Sequence, residues 1–181
     1  CISRICTDAE RILREEKRPM RMLIVCPKNV RLNWENELER FTTCPGYITV
    51  MRGLKVKRVD QIIDALQPPE GSAFTTIIVS YETMINTFQF IGAFMWDLVI
   101  LDEGHYIKTP EAKRTKYCHK LRDQARRRML LTGTPITNSP MDLWSQLEFL
   151  GQGYSGFTTF NAWKHFYGVF ELTAAGYEKL A

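Results

Sequence analysis

Apolar and polar positions follow two rhythms along the chain. Five short runs, Met22 to Cys26, Ile48 to Val50, Ile77 to Ser80, Leu98 to Leu101 and Met129 to Leu131, are apolar almost throughout and predict strands. Between them apolar residues return every three or four positions, as in Ile2, Ile5, Cys6, Ala9, Ile12 and Leu13, then Val30, Trp34, Leu38 and Phe41, then Val59, Ile62, Ile63 and Leu66. Each set forms one face of a helix. Strands alternating with helices predict an α/β fold around a mainly parallel sheet, and runs apolar on both faces of the pleat put those strands between two helix layers. Cys44-Pro45-Gly46 and Gln67 to Ser72 read as loops within the domain, and Ser139-Pro140 as a helix start, with the helix running to about Leu150.

In an open parallel sheet, ligands bind beyond the carboxyl ends of the strands. Those ends carry Pro27-Lys28, Ser80-Tyr81-Glu82, Asp102-Glu103 and Thr132-Gly133-Thr134, so polar chemistry converges on one rim. An Asp-Glu pair by itself is most simply a turn or a helix cap. Directly after the buried run Leu98 to Leu101 it stands where a nucleotide hydrolase keeps its magnesium ligand and its base.

Length and charge narrow the picture. The 181 residues suffice for one α/β domain with a tail, with 45% hydrophobic and 24% charged residues. The net charge of +4 is modest but uneven. Lys113, Arg114, Lys116, Lys120, Arg122, Arg126, Arg127 and Arg128 face a single acid, Asp123, in one stretch, and Arg52, Lys55, Lys57 and Arg58 form a second basic group. Such runs are usually solvated faces; contact with phosphates is the alternative. The five cysteines lack metal-binding spacing and argue against a zinc site or a disulfide framework, with Cys6 and Cys26 expected as small core residues. No run is long and apolar enough to span a bilayer, and the charged first 18 residues do not resemble a signal peptide; an intracellular protein is expected, cytoplasmic in a bacterial or phage-infected host and nuclear in a eukaryote. Tyr154, Phe157, Phe160, Trp163, Phe166, Tyr167 and Phe170 crowd the tail, where Phe160, Trp163, Tyr167 and Phe170 would share one helix face.

The order Asp102-Glu103-Gly104-His105, then Leu131-Thr132-Gly133-Thr134-Pro135-Ile136-Thr137-Asn138, then Asp142-Leu143-Trp144 resembles the ATPase core of the Swi/Snf branch of superfamily two helicases, the double-stranded-DNA translocases. Leu23 to Lys28 with Asn33, Trp34 and Glu37 is similar to that family's motif Ia, and Ile78 to Glu82 to its motif Ib. The resemblance implies a RecA-like three-layer lobe using ATP and Mg2+. It implies Asp102 as the magnesium ligand acting through water, Glu103 as the base, and His105, Thr132, Gly133 and Thr134 as coupling residues. Lys28, Ser80, Tyr81 and Lys108 would contact a DNA backbone, and Trp34 would brace its helix. The tetrapeptide reads as a DEAH-box variant, and Thr137 stands where the remodellers usually have Gln. Phe166-Tyr167-Gly168 and Gly176-Tyr177 resemble the connector of phage-type members.

No Gly-rich loop ending in Gly-Lys-Thr or Gly-Lys-Ser occurs in these residues. The expectation is therefore a partial first lobe over residues 1–152, a helical extension over 153–181 leading toward a missing second lobe, and weak or absent Mg-ATP binding and hydrolysis by this stretch alone. A DNA- or protein-binding module retaining a degenerate ATPase lobe, and an RNA helicase lobe, are the competing readings.

Overall fold

The computed structural model describes residues 2–53, 55–168, 170–172 and 178–180. Helix α1 (Ile2–Glu16) leads into β1 (Met20–Cys26), α2 (Arg31–Phe41), β2 (Gly46–Val50), α3 (Lys55–Ala65) and β3 (Phe74–Ser80). The short helices α4 (Tyr81–Asn86) and α5 (Phe88–Ile91) follow, then β4 (Trp96–Asp102), α6 (Lys113–Arg122), β5 (Ala125–Leu131), α7 (Met141–Leu150) and α8 (Phe160–Tyr167). The five strands form one parallel sheet in the order β2-β3-β1-β4-β5.

The two-residue period of the pleat sorts the apolar runs onto two cores. Met22, Ile24, Ile78, Leu98 and Ile100 pack with Ile5, Ala9, Ile12 and Leu38 of α1 and α2. Leu23, Val25, Ile77, Val79, Val99 and Leu101 face the other way, onto Ile62, Met84, Ile91, Leu121 and Phe149. This is the three-layer α/β architecture the alternation predicts. β1 and β4 are central, so the residues that end them are held by a fully packed support.

Four expectations need correction. Every strand begins two to four positions before its apolar run, and at β4 and β5 the polar residues of those first positions are paired by distant groups. Arg127, for example, makes a fork-like ion pair with Asp8 of α1, and Arg126 pairs with Glu16 and Asp97. Second, Cys6 and Cys44 form a disulfide, joining α1 to the turn before β2 with Cα atoms 5.6 Å apart; a single long-range pair needs no spacing motif. Cys26 and Cys118 are free and buried, and burial first, then the charge of Asp102, pushes the Cys26 thiol up to about 12.

The third correction concerns the tail. α8 ends at Tyr167, and Phe170 begins β6 (Phe170–Leu172), which pairs antiparallel with β7 (Glu178–Leu180), so the extension is not wholly helical. Trp163 is buried and donates its indole N–H to the Pro140 carbonyl at 3.3 Å, whereas Tyr154 and Phe166 are exposed. Fourth, Ile63 and Phe41 of the expected apolar helix faces are about half exposed. The connector residues Gly176 and Tyr177 lie outside the described residues. Among those described, no helix is long and apolar enough to cross a membrane.

Candidate functional site

Asp102 is the last residue of β4, next to Leu131 of β5, and three groups hold it. The Trp34 indole donates to Oδ2 at 2.8 Å, the Glu103 backbone N–H donates to Oδ1 at 3.0 Å, and the Tyr81 hydroxyl donates to the main-chain carbonyl at 2.8 Å. The carboxylate is thereby fixed in rotation yet only partly buried. Glu103 turns the chain with φ 53° and ψ 57°, a left-handed conformation that disfavours a residue with a Cβ by roughly 1–2 kcal/mol. Its side chain is 45% exposed, leaving the carboxylate open to solvent at the rim. His105 Nδ1 lies 3.2 Å from Glu103 Oε2 without hydrogen-bond alignment, and its ring tilts against Tyr106.

Between these two residues sits Gly104, and packing explains why the tetrapeptide is not DEAH. A Cβ here would lie 2.5 Å from Leu130 Cγ and within 3 Å of both its methyl groups. Gly104→Ala is expected to cost about 1–3 kcal/mol through overpacking. Urea unfolding measures it, and adding Leu130→Ala should remove most of the Gly104→Ala increment. Equal increments with and without Leu130 would show that crowding is not the cause.

The loop after β5 carries Thr132, Gly133 and Thr134, with the Thr132 hydroxyl accepting from Thr134 N–H at 3.2 Å. The loop is tied to α7 by one carboxylate. Asp142 accepts from Thr137 N–H at 3.0 Å, from the Thr137 hydroxyl at 2.5 Å and from Asn138 N–H at 2.9 Å. Burial opposes ionisation of Asp142, but these bonds and Lys108 outweigh it and hold the carboxyl below its ordinary range. Lys108 donates to the Thr137 hydroxyl at 2.6 Å and lies 3.8 Å from Asp142. Lys108 thus joins the Asp102–His105 segment to the Thr132–Asn138 loop, and it also lines a surface cavity with His105, Tyr106 and Arg114. Among the described contacts, this link and not His105 bridges the two loops.

Across the rim, a cleft of about 760 Å³ opens between the segment after β1 and the start of α4. Lys28, Asn29, Arg31, Ser80, Thr83 and Asn86 line it together with Arg58 of α3 and one acid, Glu82. Lys28 is exposed. Arg58, whose Nε is buried without a partner, comes from the second basic group and was not singled out by motif. Ser80 caps α4, its hydroxyl accepting from Thr83 N–H at 3.2 Å, and reaches the cleft only as part of its wall.

Tyr81, expected at DNA, is 1% exposed, stacks on Tyr106 and donates its hydroxyl to the Asp102 carbonyl, so its ring is packed in the core. The basic stretch from Lys113 to Arg128 divides: Lys113, Lys116 and Lys120 are exposed on α6, whereas its arginines from Arg122 onward are bonded within the fold. Arg122 donates to the Glu148 carbonyl, Arg128 to the carbonyls of Leu150 and Ala125, and Arg126 and Arg127 are ion-paired at the start of β5, away from the rim.

The described residues contain no group of three or more His, Cys, Asp or Glu able to hold a metal ion. A rim with one fixed carboxylate and a second beside it suits an ion bound mainly by water and by a ligand's phosphates, as magnesium is.

A parallel sheet between helix layers, with a carboxylate pair at the end of a central strand beside a hydroxyl-rich loop, is the architecture of a RecA-like ATPase core. The chain belongs to the SNF2-related domain family, whose model matches residues 2–181. It is 30% identical over 149 residues to the TATA-binding protein-associated factor MOT1 of Saccharomyces cerevisiae, covering 82% of this chain and 8% of that protein. It is 35% identical over 154 residues to helicase SWR1 of Candida glabrata, covering 81% and 10%, and 34% identical over 137 residues to the DNA excision repair protein ERCC-6-like of Danio rerio, covering 72% and 9%. The chain thus spans about a tenth or less of these relatives. The Sulfolobus solfataricus SWI2/SNF2 ATPase core, solved in complex with double-stranded DNA, superposes with a TM-score of 0.66 at 27% identity over 88% of this chain and 30% of that one. These eukaryotic and archaeal matches lend no support to the expected phage-type assignment.

Proposed function

We propose that this chain is the first motor lobe of an ATP-dependent translocase on double-stranded DNA. Residues 1–152 would form the lobe, and 153–181 an extension toward a second lobe. The observation that carries this reading is the placement of Asp102 and Glu103 at the end of central strand β4, on the same rim as an open basic cleft. The SWI2/SNF2 core that the fold resembles was solved with duplex DNA and is about three times as long, consistent with further lobes in such a motor.

In this assignment Asp102 would help hold a magnesium ion, and Glu103 would accept a proton from the attacking water. Magnesium, when bound on the nucleotide's phosphates, neutralises the charge that develops in phosphoryl transfer. Thr132, Gly133 and Thr134 couple nucleotide state to the second lobe, with His105 beside the base. Lys108 and Asp142 hold that loop in register with the carboxylate pair.

DNA lies along the cleft, gripped by Lys28, Arg31 and Arg58, with Ser80 and Asn29 in the wall. Such donors hold phosphates without reading bases, as stepping along any sequence requires. Duplex DNA binding measured by fluorescence anisotropy should therefore be indifferent to sequence and fall steeply with salt. Lys28→Ala and Arg58→Ala should each flatten the logarithmic salt slope by about one. Tight binding to one sequence that survives high salt would reject the translocase reading.

A further inference from the structure

We infer that Trp34 is a positioning residue for Asp102, through which the cleft-lining start of α2 acts on the carboxylate that holds magnesium. This inference rests on the ATPase assignment of Asp102 and Glu103. The two residues are 68 positions apart, and their contact is the 2.8 Å bond from the indole N–H to Asp102 Oδ2. A carboxylate offers roughly four lone-pair sites. Trp34 takes one and the Glu103 N–H takes one on the other oxygen, so the plane of the carboxylate is set while each oxygen keeps a free site.

Trp34 is only partly buried. It stands in the wall of a cavity of about 310 Å³ that also includes Asn33, Glu37 and Asp102, so the ring is not locked in the core. A buried indole finds a polar partner as a matter of course. What distinguishes this one is its place near the start of its helix. Arg31 lies one turn earlier, lines the large cleft with Lys28 and Asn29, and is anchored to the Lys28 and Met51 carbonyls at 3.1 and 2.5 Å. A phosphate gripped by Lys28 and Arg31 therefore pulls on the first turn of the helix whose next turn orients Asp102. The linkage is reciprocal: duplex DNA in the cleft raises affinity for Mg2+-nucleotide, and Mg2+-nucleotide raises affinity for DNA by the same factor.

The test uses the full-length protein and its Trp34→Phe and Trp34→His variants. Binding of a fluorescent non-hydrolysable ATP analogue is titrated against Mg2+, with and without duplex DNA. Phe keeps an aromatic ring without the donor; His sacrifices ring area but retains an N–H. In Trp34→Phe the Mg2+ concentration for half-maximal binding should rise about 10- to 100-fold, the usual effect of removing a partner that orients a metal ligand, and the enhancement by DNA should disappear. Trp34→His should recover part of both. Unchanged Mg2+ dependence and DNA enhancement in Trp34→Phe would overturn the inference while leaving the ATPase assignment intact. A greater loss in His than in Phe would likewise overturn it, since packing would then be the whole role. Absence of Mg2+-dependent nucleotide binding in the unsubstituted protein would reject the ATPase assignment itself, and the inference with it.

Discussion

Glu103→Gln in the full-length protein is expected to lower ATP turnover by a factor of about 10² to 10⁴ while leaving Mg-ATP binding close to that of the unsubstituted protein. The amide is nearly isosteric with the carboxylate but cannot take a proton from water. Little else should change. Glu103 contributes its backbone N–H to Asp102, which the substitution preserves, and its side chain is 45% exposed with His105 Nδ1 3.2 Å away. The left-handed backbone at this position is retained by the Asp102–Gly104 frame, because Gly104 is pressed under Leu130. Steady-state hydrolysis with and without duplex DNA, set beside calorimetric nucleotide binding, separates chemistry from binding. Near-normal turnover would show that Glu103 is not the base, and the assignment of the Asp102-Glu103 pair would be withdrawn.

The carboxylate pair was legible because its signal is local: a buried strand that stops at two acids. The same holds for the sheet, since Leu23 to Cys26, Ile77 to Val79 and Leu98 to Leu101 are apolar on both faces and are buried on both. What escaped the sequence was long-range pairing. Arg126, Arg127 and Arg128 look like a solvated or phosphate-binding run, yet the acids that neutralise the first two, Glu16 and Asp8, lie more than a hundred residues away. Asp102 meets Trp34 and Tyr81 only because β4 pairs with β1, whose other neighbour is β3. Neighbouring hydroxyls likewise diverge in role. Ser80 ends a strand at the cleft, while Tyr81 opens a helix with its ring turned into the core, a difference of facing that follows from the turn and not from residue type. Arg58 reaches the cleft from α3, and no motif marks it.

The most destabilising single change in these long-range pairs should be at Asp97. This residue is the second of β4, at the end of the strand opposite the carboxylate pair, with its side chain 3% exposed. Arg18 donates to both its oxygens, at 2.7 and 2.8 Å, and the Arg21 N–H donates at 2.8 Å; Arg126 lies 3.4 Å away. Burial alone would raise the carboxyl, but the bonds from Arg18 and Arg21 outweigh it, so ionisation occurs below the ordinary aspartate range. Asp97→Ala removes the more buried of the two carboxylates that Arg18 is paired with, the other being Glu16, and leaves the Arg21 N–H without its acceptor. Breaking a buried pair on one side typically costs about 3–5 kcal/mol, and the 28% exposure of Arg18, which lets it regain water, places the expected loss near the lower figure. Against a total stability of about 5–15 kcal/mol this is a large fraction. The pH dependence follows from the sign of the shift. A carboxyl more acidic in the folded than in the unfolded protein contributes stability that is fully present above the unfolded value, about 3.9, and is lost as pH falls through the folded value. Urea unfolding at pH 7 should show the full difference between the unsubstituted protein and Asp97→Ala, and the difference should shrink as pH drops below about 4. Equal midpoints at pH 7, or a difference that does not change with acid, would mean that the Arg18–Asp97 pair does not stabilise the start of β4 through its charge.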